Sequence, residues 1–220
     1  MKRRRDHMEK GSELKSAVDE LSLVKLKPAG NSDAAHIPTR PFLHVCSLVI
    51  QVLDKIGPTM AVLRQDIDQN IQRLEVLCDS DSSIYANMVE ILKKEMVEGN
   101  TRKGNSCSKA IVWLTRSLDF TVALLERMVK DPVQSMEQAV EEAYNMTLKP
   151  WHGWISSAAF RVGLKLVPDC KTFLSLLMSK EEHCATLNDD MQTFISLLMP
   201  ILEEIHSAMR SYGLDRLKST

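Results

Sequence analysis

The feature that most constrains the fold is a helical repeat of apolar side chains, which runs from residue 41 almost to the C-terminus. Apolar residues recur three or four positions apart, and no segment shows the apolar/polar alternation of a half-buried strand. Gly and Pro, the residues that most disfavour helix interiors, occur only eight times each among 220 residues. The sequence therefore predicts an all-α protein.

Breaks in this repeat divide the chain into about eight helices joined by short loops. Thr39, Asp131 and Asp169 lie near expected helix starts and suit caps or first-turn acids. Amphipathic helices bury their apolar faces against one another, so we expect a two-layer helical sandwich over residues 40–212 and a short C-terminal tail at 213–220. The helices are predicted at about 40–56, 58–77, 84–97, 107–130, 133–147, 150–166, 169–179 and 186–210.

Residues 1–39 differ from the rest because they mix charged residues with Ser, Gly, Asn and Pro. We expect a flexible, basic and polar N-terminal extension outside the domain. Within it, Ser12–Leu26 has the pattern of one amphipathic helix, with Leu14 and Leu21 on one side. The basic cluster Lys2–Arg5 is typical of a solvated tail, although such clusters also suit an anionic membrane surface or a nuclear import signal.

Composition argues against several functional classes. The formal net charge of −1 gives no overall attraction to nucleic acid, so we expect no nucleic-acid partner. No segment reaches the roughly 20 apolar residues of a membrane-spanning helix, and the charged N-terminus lacks the pattern of a secretory signal. The five cysteines are widely spaced without zinc-binding motifs, so we expect reduced thiols in a cytosolic protein with neither a metal nor a cofactor.

Three polar residues share one narrow face of the helix predicted after Pro58. Asp66, Asn70 and Arg73 lie at positions i, i+4 and i+7, beside a second stripe of apolar residues. One interpretation is a surface ladder of paired side chains, worth a few tenths of a kcal/mol per pair. The other is a binding station for a polar head group, because an acid, an amide and a base together accept from and donate to hydroxyl and amide groups.

Tryptophan marks two further segments. Trp113 and Phe120 lie seven positions apart on one helix face, which fits either a core tryptophan or a partly exposed indole on which a sugar ring stacks. In Trp151-His152-Gly153-Trp154, two of the three tryptophans of the chain flank a His-Gly pair directly after Pro150. His152 has a structural and a ligand-binding interpretation, and a tryptophan in such a position often marks a membrane interface.

These segments, in this order and at these separations, resemble the glycolipid transfer protein family, and particularly its plant members. The matching pieces are D-x-x-x-N-I-x-R-L from Asp66, W-L-x-R from Trp113 and W-H-G-W from Trp151. The resemblance covers about residues 40–210. It implies a two-layer, all-helical fold that holds one sphingolipid, with a polar centre for the head group and an apolar pocket for the two chains.

The resemblance also assigns roles to individual residues. Asp66 and Asn70 would bind the first sugar and the ceramide amide, Trp113 would lie under that sugar, and His152 would bind the amide carbonyl. Arg73 occupies the place of a lysine in well-known glycolipid-binding members, and it keeps the charge but not the shape.

Two further assignments complete the predicted site. Trp154 resembles a family tryptophan that helps the protein to dock on bilayers. A sister branch that binds ceramide-1-phosphate has arginine in the place of Trp113, so this tryptophan favours a sugar. Lys109, one turn earlier, lies where the phosphate branch also tends to be basic, and it is a possible contact for a sulfated or phosphorylated head group.

The predicted function is therefore non-enzymatic transfer of one glycosphingolipid between membranes by a monomer that contacts membranes transiently. The alternatives are a carrier of ceramide-1-phosphate or another sphingolipid, and a lipid sensor or scaffold with little transfer activity. His152 and Asp66 could be imagined as an acid–base pair, but the chain lacks the common motifs of hydrolases, zinc proteases, nucleotide-binding loops and dinucleotide-binding turns. An enzyme is therefore not expected.

Overall fold

A computed structural model describes residues 12–24, 36–178 and 184–218, and its regular elements are helical, which confirms the predicted all-α fold. A one-turn 3-10 helix spans Pro58–Met60, and one isolated bridge joins Pro38 to Asn87. No helix in these described ranges is long and apolar enough to cross a bilayer. The α-helices are α1 Glu13–Ser22, α2 Thr39–Ile56, α3 Ala61–Ser80, α4 Met88–Val97, α5 Cys107–Lys130, α6 Met136–Thr147, α7 Trp154–Leu164, α8 Cys170–Leu177 and α9 Cys184–Ser211.

Helix α1 differs from the expected flexible extension because it belongs to the core. Its apolar side chains are buried against α2 and α9, between which it lies. Ser12 caps the helix by accepting a hydrogen bond from the Lys15 amide at 3.2 Å. The packed domain therefore includes Ser12–Ser22 and does not begin at residue 40. Among the described residues, α1 raises the number of α-helices from the predicted eight to nine. The basic cluster Lys2–Arg5 lies outside the described residues.

Several helix boundaries depend on caps that the sequence only partly predicts. Asp169 caps α8 as expected, since its carboxylate accepts from the Thr172 amide at 2.9 Å. Asp131 instead ends α5, and Ser135 caps α6. Thr39 is the first residue of α2 rather than its cap, and its buried hydroxyl has no hydrogen-bond partner in the described structure.

Helices α3, α4, α6 and α7 begin three or four residues later than predicted, and a backbone turn explains the delay before α3 and α7. Gly57 has a φ of +114°, which glycine tolerates far better than other residues, and the 3-10 turn that follows delays α3 to Ala61. The helix predicted at 150–166 begins only at Trp154. The amides of Trp151 and His152 both bond to the Leu148 carbonyl in a turn, and extended Gly153 then starts α7.

The long helix α5 is the centre of the packing and contacts α3, α4, α6 and α9. Its N-terminus is held by Glu95 of α4, whose buried carboxylate accepts from the amides of Cys107 and Ser108, both at 2.7 Å. A carboxylate at this position satisfies two amides that lack partners within the helix and complements the positive end of the helix dipole. The start of α5 is therefore fixed two turns before Trp113.

The predicted C-terminal tail also packs against the domain. Gly213 ends α9 with a left-handed φ of +64°, and the next residue, Leu214, is fully buried. The chain then continues along α5, where carbonyl groups of Asp215 and Leu217 accept hydrogen bonds from Arg116. Residues 213–217, called the C-terminal strap below, are therefore part of the folded unit.

Candidate functional site

Asp66, Asn70 and Arg73, called the α3 polar group, form one connected cluster. The Asn70 side chain, buried at the edge of the core, donates to the Asp66 carbonyl at 2.9 Å and accepts from the Arg73 guanidinium at 3.0 Å. Asn70 therefore holds Arg73 in place while keeping one N–H and one acceptor lone pair for another partner. The predicted alignment of these three residues on one helix face is present.

The Asp66 carboxyl lies at the solvent-exposed end of this group. Partial burial raises the pKa of this carboxyl above the ordinary aspartate value, and the nearby Arg73 charge offsets part of that rise. Burial therefore disfavours the charged form of this carboxyl, and the Arg73 charge favours it. A carboxylate in this state is well suited to accept hydrogen bonds from ligand hydroxyl groups.

An aromatic group, made of Trp113, Tyr144, Trp151 and His152, lies beside α5. The ring centroids of Trp113 and His152 are 5.8 Å apart, and those of Tyr144 and His152 are 5.5 Å apart. The predicted platform and the predicted carbonyl-binding histidine are therefore direct neighbours. Trp113 is half-buried, which leaves part of the indole accessible.

The state of His152 follows from its surroundings. Burial lowers the pKa of its imidazole, and the positive charge of Arg116 lowers it further, so the ring is neutral at pH 7. Its Nδ1 lies 3.3 Å from the Tyr144 hydroxyl. The Tyr144 hydroxyl has one proton and also lies 3.3 Å from the Ser157 hydroxyl. In the tautomer with the proton on Nε2, Tyr144 gives that proton to Nδ1 and accepts from Ser157, and Nε2 remains a donor for a ligand carbonyl.

Arg116 is the most buried charged side chain near the aromatic group. It is only 2% exposed, and its guanidinium carbon lies 4.9 Å from the Trp113 ring centroid and 4.2 Å from that of Trp151. Burial lowers the pKa of Arg116 to about 10, against the opposing charges of Asp119 and Asp215, so the side chain stays cationic at neutral pH.

The α3 polar group and the aromatic group are carried by helices that pack on each other. The Cys107 thiol contacts the Arg73 carbonyl, with a sulfur–oxygen distance of 3.7 Å, at the start of α5. Trp113 follows six residues later, about 9 Å further along the helix. Lys109, half-buried in the first turn of α5, lies between these two points along the helix.

Helix α7 begins immediately after His152 and exposes much of its apolar surface. Trp154 is 82% exposed, Ile155 56% and Val162 66%. Arg161 and Lys165 are also exposed at the end of this helix. Large apolar side chains close to cations suit contact with the interface of a lipid bilayer.

A cavity of about 250 Å³ lies between α5, α6, α8 and α9. Trp113 is fifteen residues before Met128 on α5, so the cavity is about 22 Å along the helix from the aromatic group. The residues around the cavity are mostly apolar: Met128, Pro132, Ala139, Cys170, Leu174, Leu187 and Met191, with Asp131, Gln134 and Asn188.

Within the described ranges, no three His, Cys, Asp or Glu side chains are placed to hold a metal ion.

The sequence did not single out Tyr144, Trp151 or Arg116 as site residues. Tyr144 lies eight residues before His152 on another helix, and its ring also stacks on Phe160 at 3.5 Å between centroids. Trp151 belongs to the tryptophan pair and Arg116 to the W-L-x-R motif, so both were visible as motif members. Their contact with each other arises only from the tertiary packing of α5 against the turn before α7.

Comparisons with known proteins agree with this architecture. A sequence model of the family described as glycolipid transfer protein (GLTP) matches residues 37–179. The chain is 53% identical to glycolipid transfer protein 3 and 55% identical to glycolipid transfer protein 2, both from Arabidopsis thaliana, and each alignment covers 100% of both chains.

Solved structures extend the agreement to the fold. The structure that shows how FAPP2 selects simple glycosphingolipids using the GLTP fold matches with a TM-score of 0.82 at 24% identity, over 95% of this chain and 100% of that one. Human ceramide-1-phosphate transfer protein in complex with 12:0 ceramide-1-phosphate matches with a TM-score of 0.79 at 14% identity, over 94% and 100% of the two chains. The two-layer helical fold is thereby confirmed, and the chain belongs to the glycolipid transfer protein family.

Proposed function

We propose that this protein carries a single glycosphingolipid between membranes without changing it covalently. One observation supports this function above the others: the half-buried Trp113 lies 5.8 Å from His152, on a helix that packs against α3, which carries the α3 polar group. A flat apolar surface beside a neutral donor, with a charged acceptor on the adjoining helix, matches the parts of a sugar joined to a ceramide amide.

In this proposal the head group bonds to both polar clusters. The Asp66 carboxylate accepts from sugar hydroxyls, and Arg73, held by Asn70, donates to sugar oxygens. The sugar stacks on Trp113, and His152 donates from Nε2 to the ceramide amide carbonyl. Because removal of one partner leaves a desolvated polar group unsatisfied, the pattern also discriminates between head groups.

The lipid chains supply the physical reason for a carrier. Each methylene that leaves water contributes ~0.8 kcal/mol, so a chain of about sixteen carbons contributes on the order of 10 kcal/mol. A protein that encloses the chains between apolar helices removes most of that barrier. We propose that the protein acts as a monomer in the cytosol and touches membranes transiently through Trp154 and its neighbours on α7.

The test is transfer of fluorescently labelled glucosylceramide between phosphatidylcholine vesicles. The wild-type protein is expected to raise the transfer rate, and Trp113→Ala is expected to lower it by about tenfold or more, as loss of a stacking platform worth over ~1.4 kcal/mol requires. Val133→Ala, at a 94% exposed loop position that belongs to neither cluster, is the control. Normal transfer by Trp113→Ala would contradict the platform.

Asp66→Val tests the acceptor in the same assay. We expect a clear fall in glucosylceramide transfer, and a gain of other lipids at the same time would identify Asp66 as a selecting residue. Binding of the labelled lipid without transfer would favour a sensor or scaffold. A hydrolysed or modified lipid after incubation would indicate an enzyme.

A second candidate ligand carries an acidic head group, such as a sulfate or phosphate. The observation that favours it is the position of Lys109, half-buried one turn before Trp113. We expect Lys109→Ala to leave glucosylceramide transfer unchanged if sugars are the ligands. A selective loss of sulfatide or ceramide-1-phosphate transfer would support the acidic ligand, and native mass spectrometry of the protein from its own host would identify the lipid it carries.

A further inference from the structure

Arg116 is a buried cation that is held chiefly by backbone oxygens. Its two terminal nitrogens donate to the Leu217 carbonyl at 2.6 Å and to the Asp215 carbonyl at 3.0 Å. A buried charge is costly unless it is hydrogen-bonded, so these two bonds fix both the guanidinium and the C-terminal strap that supplies them. The nearby acidic side chains Asp119 and Asp215 add a favourable charge environment.

Two indole rings also contact the guanidinium. The guanidinium carbon lies 4.9 Å from the ring centroid of Trp113 and 4.2 Å from that of Trp151. Cation–π contacts in desolvated surroundings are among the stronger interactions of this type. Arg116 therefore links one indole of α5 to one indole of the turn before α7, and it covers the Trp113 ring from one side.

The C-terminal strap is anchored independently of Arg116. Leu214 is fully buried, its amide donates to the Met209 carbonyl at 2.8 Å, and Arg102 donates to the Gly213 carbonyl at 3.3 Å. The two carbonyls that hold Arg116 follow directly after this anchor. Their position is consequently set by the packing of α9 and not by the indoles.

We propose that Arg116 is a positioning residue of the lipid-binding centre and that the C-terminal strap, acting through Arg116, sets the orientation of Trp113 and Trp151. The expected effect of Arg116 on lipid transfer rests on the proposed function. Its expected effect on the orientation of the two indoles does not. Arg116 itself does not contact the lipid in this arrangement. It holds the platform in the orientation that a sugar ring requires.

The first test is Arg116→Lys in the full chain, with Arg210→Lys on the exposed surface of α9 as the matched control. Lysine keeps the charge but lacks the planar, forked guanidinium that donates to two carbonyls and contacts two rings. We expect labelled glucosylceramide transfer to fall by about tenfold or more. The near-ultraviolet circular dichroism of the tryptophans is expected to change while the far-ultraviolet spectrum stays native. The control should match the wild type in all three measurements.

The second test shortens the chain after Leu214, which removes both carbonyls and keeps the buried anchor; a chain that ends at Lys218 is its control. The shortened protein should reproduce the tryptophan spectrum and the transfer defect of Arg116→Lys. If Arg116→Lys does not fold, the shortened protein alone tests the positioning role. Wild-type spectra in both variants would overturn the proposal, as would a transfer loss with an unchanged tryptophan spectrum. If the wild type itself transfers no glycolipid, the proposed function fails, whereas the spectra still test the positioning role.

Discussion

Helices α1 and α7 have similar lengths but opposite relationships to the core. Helix α1 has ten residues and buries Leu14, Ala17, Val18 and Leu21, whereas α7 has eleven residues and buries only Leu164. Helix α1 is the more polar of the two, and it comes from a segment whose composition is typical of a tail. Average hydrophobicity alone would have predicted a buried α7 and an exposed α1, the opposite of what the structure shows.

The difference shows that burial is decided by the available partner rather than by apolar content. Helix α1 has a single apolar stripe that lies between α2 and α9. Helix α7 packs on α6 and leaves Trp154, Ile155 and Val162 in contact with water. An exposed apolar patch of this kind usually marks an interaction surface. Helix α1 thus contributes to the core, whereas α7 presents the apolar surface for which membrane contact is proposed.

The strongest test of the comparison is Leu21→Asp in α1. Leu21 is 3% exposed, so the substitution places a carboxylate in the core, and we expect a loss of about 4 kcal/mol or more in the free energy of unfolding. Urea denaturation measures it. Leu23→Asp, two residues later at a position that is 78% exposed, should cost less than about 0.5 kcal/mol. Equal stability of the two variants would show that α1 does not contribute to the core.

Within α7, Leu164→Ala and Val162→Ala separate the buried residue from the exposed face. Leu164 is 9% exposed, so Leu164→Ala should lower the free energy of unfolding by about 2–3 kcal/mol, through lost apolar burial and the cavity that is left. Val162, at 66% exposure, should change stability by less than about 0.5 kcal/mol. A similar loss in both variants would mean that another surface covers α7.

Trp154→Ala tests the exposed face of α7 through membrane binding rather than through folding stability. If roughly half of the indole enters the bilayer interface, its loss removes about 2 kcal/mol of membrane affinity, or on the order of thirtyfold in vesicle binding. The melting temperature should stay nearly constant because Trp154 is 82% exposed in the free protein. Vesicle sedimentation measures the binding, and an equal loss of lipid affinity in detergent would contradict a docking role.

The smallest expected effect concerns pH and His152, directly before α7. Because the pKa of His152 is lowered in the folded protein, the unfolded chain takes up a proton first as the pH falls. Folding stability contributed by the neutral ring is therefore complete above the ordinary histidine pKa of about 6.5 and decreases below it. His152→Gln should show a weaker decrease in unfolding free energy between pH 7.5 and 5.5 than the wild type. Identical slopes would show that the ring is solvated.

The sequence predicted most of the fold because α2 to α9 carry long apolar stripes, whose period defines a helix regardless of its neighbours. It predicted less about where each helix begins and about which helices pack against one another. The start of α7 depends on a turn in which two amides share the Leu148 carbonyl, and the burial of α1 depends on its packing against α2 and the distant helix α9. Neither property is encoded in local periodicity.

The site divides in the same way. Asp66, Asn70 and Arg73 lie within one helix, so their alignment follows from spacing alone. The proximity of Trp113 to His152 depends on tertiary structure, and it was predicted only through the family resemblance. The acceptors of Arg116 are backbone carbonyls about one hundred residues away, at separations of 99 and 101. Backbone acceptors leave no trace in residue identity, so no motif could have indicated them.

The cavity of about 250 Å³ is smaller than the sites of roughly 300–1,000 Å³ that usually hold drug-sized ligands. A lipid with two long chains is bulkier than such ligands, so it fits only if the neighbouring helices move apart. Uptake then exchanges contacts between helices for contacts with the chains, because a close-packed interior has few vacant volumes to offer. If this cavity receives the chains of the proposed glycosphingolipid, the surrounding helices separate, and the hydrodynamic radius of the protein then increases with the length of the chains.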